Sequence, residues 1–218
     1  MSSKGQGYKL IFNARADSIL KAKDNIKEVQ KHNRISIVPV GIESFLDEQL
    51  ISWNKKITAK QNMEAINTLL DYDITPLIYL IVADKDSTLD TIEAYAQTFK
   101  DHTELFPLIF GQTRMMYDNQ KVDHQYPDYI KSFWHLFKGI GEANSLIAQR
   151  AYPFWDSTVE KIKQNRKLPV TNTANCIKAI DEGMNIIRLI AKGKSTSEKE
   201  IDNIFSKSKD IICAVYNV

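Results

Sequence analysis

Four short apolar runs rich in β-branched residues, each followed by a stretch with helical spacing, fill the first half of the chain. That alternation is the signature of β-α units on a parallel sheet, and it constrains the fold more than any other feature. The runs place strands at residues 8–12, at 35–40 closed by Gly41, at 77–82, and at 105–110 ending at Gly111. Between them, Asp17 or Ser18 is expected to cap a helix through Ala22, Ile26 and Val29. Residues 45–53 read as a short helix, and Thr58 as the cap of a longer one with Met63, Ile66, Leu69 and Leu70 on one face. Residues 88–100 carry Leu89, Ile92, Ala96 and Phe99 at helical spacing.

From about Pro127 the pattern becomes helix only. Residues 129–150, 153–165, 171–192 and 197–216 each repeat apolar residues three and four apart, with Pro153, Pro169 and Gly193 as punctuation. Ser197-Glu-Lys-Glu200 has the form of a capping box. The expected organisation is an α/β region over residues 1–126 and a helical region over 127–218 packed on it, since no Gly/Ser/Pro-rich linker separates them.

Composition removes several function classes. Lys and Arg total 29 against 27 Asp and Glu, a balance that gives no general attraction to nucleic acid or anionic membranes. The apolar runs fall far short of the ~20 residues a membrane-spanning helix needs. The polar N-terminus lacks the apolar stretch of a secretory signal, so a cytoplasmic protein is expected. Cys176 and Cys213 fall in apolar-periodic segments, where a buried small hydrophobe is the simplest reading. His32, His102, His124 and His135 form no metal-ligand pair at helical spacing, so no metal site is expected. Gly139-Ile-Gly-Glu142 continues a helix and lacks the lysine and hydroxyl of a phosphate cradle, which favours helix packing. Phe133, Trp134, Phe137, Tyr152, Phe154 and Trp155 read as core between sheet and helices, with a pocket for a flat ligand or a lipid-like chain as the alternative.

Five segments in order resemble the downstream half of a radical S-adenosylmethionine (SAM) domain, in the branch often linked to a cobalamin-binding domain. They are Asn13-Ala-Arg-Ala-Asp17, Val40-Gly-Ile-Glu-Ser44, Leu50-Ile-Ser-Trp-Asn-Lys-Lys-Ile-Thr58, Tyr79-Leu-Ile-Val-Ala83 with Asp86-Ser-Thr-Leu-Asp90, and Gly111-Gln-Thr-Arg-Met-Met-Tyr117. The resemblance spans residues 8–123 and implies a partial (β/α) barrel of about four parallel strands, equivalent to that family's third to sixth. It implies SAM at the C-terminal strand ends. On that basis Glu43 and Ser44 would meet the ribose hydroxyls, Arg15 would suit the methionine carboxylate with Asp17 on the same rim, and Ile81, Val82, Phe110 and Gly111 would lie near the adenine. Two plainer readings stand beside these. Glu43 would cap the following helix, and Arg15 with Asp17 would be a solvated pair.

The departures are as informative. The three-cysteine CxxxCxxC loop that holds the family's four-iron four-sulfur cluster is not in the sequence, so no cluster is expected on this chain alone. A glycine-rich stretch after the fifth family strand reads Ala83-Asp-Lys-Asp-Ser-Thr88, and the glycine expected before Ile74 is Asp73. The first expectation is therefore a split or truncated radical SAM-type protein that needs a complementary cysteine-bearing chain for chemistry. The alternative is a non-catalytic small-molecule-binding or assembly module of the same descent, and a third reading is a piece of a longer frame. A first strand without its two neighbours leaves an open edge, which suits a complementary chain or a homodimer, or is closed by the C-terminal helices. Cobalamin is left open by the resemblance.

Overall fold

The computed structural model describes residues 12–32, 35, 37–84, 86–115, 126–151, 173–193 and 197–214. Its sheet has strands β1 (Ala14–Arg15), β2 (Ile37–Glu43), β3 (Thr75–Ala83) and β4 (Ile109–Met115), in sequential order with every pair parallel. Crossovers between parallel strands are right-handed in about 98% of cases. With strands in sequential order, such crossovers bring every connecting helix to one face, unlike a doubly wound sheet whose order reverses. Burial follows this geometry. Val38, Val40 and Ile42 of β2 and Ile78, Leu80 and Val82 of β3 are core residues. Their alternates Pro39, Gly41, Glu43, Leu77, Tyr79 and Ile81 are half-buried on the opposite face.

The connecting helices are α1 (Ala16–Lys21), α2 (Lys23–Gln30), α3 (Asp47–Ser52), α4 (Ala59–Asp71) and α5 (Leu89–Asp101). Thr58 and Thr88 each close a capping box, on α4 with Gln61 and on α5 with Thr91. Several expectations need correction. Arg15, not Asp17 or Ser18, is the N-cap of α1, and the expected single helix breaks at Ala22 between α1 and α2. The second strand continues through Gly41 to Glu43, and the fourth begins only at Ile109. Residues 105–108 belong to a 3-10 helix, Thr103–Leu108, containing Pro107, whose missing N–H suits it poorly to a ladder. Leu70 of α4 is 42% exposed, and Asn62, Ala65, Ile66 and Leu69 form the buried stripe. The strand expected at residues 8–12 lies outside the described residues except for Phe12, as does the whole helix expected at 153–165.

The helical region comprises α6 (Asp128–Ala151), α7 (Thr173–Ala191) and α8 (Glu198–Cys213), with α8 capped by the Ser197–Glu200 box. Its three helices pack on one another, and α6 also packs on β3 and β4. Asn144 of α6 donates to the carbonyls of Phe106 and Ile109 at 2.6 and 2.7 Å. Phe133 and Phe137 are fully buried against Tyr95 and Phe99 of α5, at ring separations of 5.1–5.8 Å. Tyr152, Phe154 and Trp155 lie outside the described residues. A Cβ at Gly139 would meet Phe205 O at 2.6 Å, so this glycine lets α6 and α8 approach closely. No helix among the described residues is long and apolar enough to cross a membrane.

Candidate functional site

Ligands of parallel α/β folds sit at the C-terminal ends of the strands, so the ends of β1, β2 and β3 are the natural place for a site. At the end of β2 the register with β3 shifts between Gly41 and Glu43, and Glu43 takes a positive φ of 68°. Only a few per cent of non-glycine residues adopt that region, at a cost of roughly 1–3 kcal/mol. The carboxylate folds back over Gly41, where an added Cβ would lie 3.0 Å from Glu43 Oε1. Gly41 pairs with Arg15 on β1 and Tyr79 on β3, which places this acid on the half-exposed face of the sheet. Among the described residues its partner is Lys55, with Nζ 3.7 Å from Oε1.

Lys55 is positioned by the end of α3. The N–H of Asn54 donates to Ile51 O at 2.9 Å and that of Lys55 to Leu50 O at 2.8 Å, a Schellman motif with Asn54 in the left-handed region at φ 52°. One residue before the turn, Trp53 donates its indole N–H to Asp84 Oδ2 just beyond β3. Asp84 Oδ1 also accepts from Ser87 Oγ at 2.8 Å and from the Asp86 N–H at 3.1 Å. The turn after β3 is thus closed on itself and latched to α3.

Beneath Glu43 the support is polar and buried. Ser44 is fully buried, donating to Gln49 Oε1 at 2.5 Å and accepting from the Leu46 N–H at 3.0 Å. Asn62 of α4, also fully buried, donates to the carbonyls of Ile42 and Ser44 at 2.8 Å each. These bonds engage the carbonyls on either side of Glu43, Ile42 O accepting from the Ser44 N–H as well at 2.9 Å, and so brace the end of the strand. The Glu43 charge is felt deeper in the molecule. Burial pushes the Tyr95 hydroxyl well above the ordinary tyrosine range, and Glu43 adds to that displacement.

The residues singled out in the sequence therefore separate. Glu43 stands on the half-buried face, and α3 has Leu46 as its N-cap with no side-chain cap bond, so the helix-cap reading of Glu43 is not realised. Ser44 is turned inward. Arg15 pairs with Asp17 at 3.0 Å and is 61% exposed, and its guanidinium holds the Asp17 carboxyl below the usual carboxylate range, against a partial opposing effect of burial. Ile81 shares the half-buried face, whereas the Val82 side chain is core and faces the helices. Phe110 and Gly111 lie on β4 beside β3. Cys176 and Cys213 are buried in the helical region, and burial pushes the Cys176 thiol up to about 12. No group of three metal-ligating side chains occurs among the described residues.

Three contributors were not anticipated from sequence: Lys55, the Trp53–Asp84 latch and Asn62. Only Asn62 carried a usable signal, as an amide within the apolar stripe of α4.

No family model matches the chain, and no curated protein matches it. Among solved structures, the cobalamin-dependent S-adenosylmethionine radical enzyme OxsB with aqua-cobalamin bound is similar, at 12% identity and a TM-score of 0.45. The match covers 96% of this chain and 47% of that chain, so the chain spans about half the length of that enzyme.

Proposed function

We propose that this chain is a half barrel of radical SAM descent whose half-buried sheet face receives SAM through Glu43, and that it works with a complementary chain carrying the cysteine loop. The observation that carries the reading is Glu43 itself. A glutamate is held at positive φ, its carboxylate lies over a glycine on the half-buried face, and buried amide bonds from Asn62 brace the strand end beneath it. Such an arrangement offers an acceptor pair to vicinal hydroxyls at the place where parallel α/β folds bind ligands. The sequential parallel order supports the half-barrel reading, because among the described residues β1 and β4 each have a strand on one side only, and further strands could pair at those edges. The complementary chain would supply the cluster that reduces SAM, and the present residues would supply binding and orientation.

A second reading is favoured by the turn after β3. Where relatives have a glycine-rich turn, Asp84 binds Ser87, Asp86 and Trp53, which suits a non-catalytic binding module. Calorimetry with SAM on the wild type and Glu43→Gln, with light scattering to fix the oligomeric state, separates the two. Binding lost in Glu43→Gln and an affinity raised by a cysteine-bearing partner are expected from the first reading. Absence of SAM binding by the folded chain, alone and with that partner, would overturn it.

A further inference from the structure

We propose that Asn62 is the positioning residue of this rim, holding from α4 the backbone turn that sets the Glu43 carboxylate over Gly41. The inference rests on the reading of Glu43 as the group that meets the ligand, and it adds the residue that keeps Glu43 in place. The Ser44 N–H donates to Ile42 O at 2.9 Å across Glu43, whose φ is 68°. A hydrogen bond closed around a single residue at positive φ is the strained, seldom used form of the γ-turn. Strain of that kind persists only where the surroundings over-determine it. Asn62 supplies the constraint, since its Nδ2 donates at 2.8 Å to both carbonyls that bound the turn, Ile42 O and Ser44 O. One side chain thus ties together the two ends of the turn across its strained residue.

The burial of this amide points to the same role. Asn62 lies fully buried in the stripe otherwise formed by Ala65, Ile66 and Leu69, and its Oδ1 is buried with no hydrogen-bond partner among the described residues. An unmet buried acceptor is a cost that an apolar side chain at this position would not carry. The start of α4 is anchored by the Thr58 capping box and by the Ala59 N–H donating to Asp47 Oδ1 at 2.6 Å, so the amide meets the turn from a fixed base. Loss of its two bonds should let residue 43 return to extended backbone and carry its carboxylate away from Gly41.

The conformation is read by NMR without a ligand. At positive φ the amide and α protons of one residue lie close together, so Glu43 should give a strong intraresidue HN–Hα cross-peak in the wild type. Asn62→Leu, close in size but without donors, should reduce it to the strength of an extended residue. Ile66→Ala removes packing from the same stripe and leaves both bonds in place, so it should keep the strong cross-peak. Calorimetry with SAM on the same proteins reads the consequence, an affinity about tenfold or more weaker in Asn62→Leu and within about twofold of wild type in Ile66→Ala. Should Asn62→Leu not fold, the same two readings on Asn62→Ala, which adds no bulk, decide. A weak Glu43 cross-peak in the wild type, a strong one retained without Asn62, or an equal loss of affinity in Ile66→Ala overturns the assignment. If the folded wild type binds no SAM, the proposed function falls, and the cross-peaks alone still decide whether Asn62 holds the turn.

Discussion

Adjacent strands β2 and β3 both run into an acid, and the two acids are treated in opposite ways. Asp84 accepts from an indole, a hydroxyl and a backbone N–H, and every bond ties the turn to itself or to α3. Glu43 accepts no hydrogen bond among the described residues, sits at positive φ, and has a lysine at 3.7 Å. An acid that is locally strained and little used by its own fold is what a binding rim requires, since each unused acceptor is available to a ligand. An acid with all its acceptors engaged is structural. On the proposed reading the end of β2 would be the receptive part of the rim, and the end of β3 its frame.

Removing the frame should have the larger effect on stability. Asp84→Ala deletes three side-chain hydrogen bonds and strands the Trp53 indole N–H, which predicts a loss of about 2 kcal/mol. For a chain of this size that is roughly 4–8 °C in Tm. A scanning melt checks it, and a red shift in tryptophan emission should accompany the loss as Trp53 is released to solvent. A melt equal to wild type would mean that the turn holds without its carboxylate, and the contrast between the two acids would lose its structural half.

The legibility of the sequence follows the same division. Periodicity and capping signals placed most helices, because Thr58 and Ser197 act through residues three positions away, a range that sequence displays directly. The parallel sheet was legible from β-branched runs, but strand ends were not. Gly41 reads as a terminator, yet it sits inside β2 because the bulge and the Asn62 amide carry the strand two residues further. Glu43 was found through the resemblance, whereas its strain and its position over Gly41 are properties of the register with β3. Lys55 was invisible because it reaches Glu43 only through a turn set by Asn54 at φ 52°, and nothing in its local spacing marks it. The pairing of Trp53 with Asp84 spans 31 residues and has no sequence periodicity to reveal it.

The receptive acid should respond to mutation with the opposite sign. Glycine tolerates positive φ without the side-chain clash, so Glu43→Gly relieves strain and gives up only a long, partly screened ion pair. The expected result is a gain of about 0.5–1 kcal/mol together with loss of SAM binding. Urea unfolding and calorimetry on the same preparation read the two together. A destabilised variant would show that the Glu43–Lys55 pair outweighs the strain, and Glu43 would then belong with Asp84 among the structural acids.

A third acid, Asp17 beyond β1, tests the comparison with the smallest effect. It is paired like Asp84 but lies near the surface, where an ion pair contributes about 0–1 kcal/mol. Because Arg15 depresses its pKa in the folded state, the pair stabilises the protein above the unfolded-state value of about 3.9 and loses that contribution as pH falls through the lower folded value. Carboxyl-carbon NMR titration should therefore place Asp17 below an ordinary aspartate in the wild type and move it upward in Arg15→Met. The stability difference between the two proteins, a few tenths of a kcal/mol near pH 6, should shrink below pH ~4. If Asp17 titrates like a free aspartate, Arg15 is not engaged and the comparison of the acids at the strand ends loses its third member.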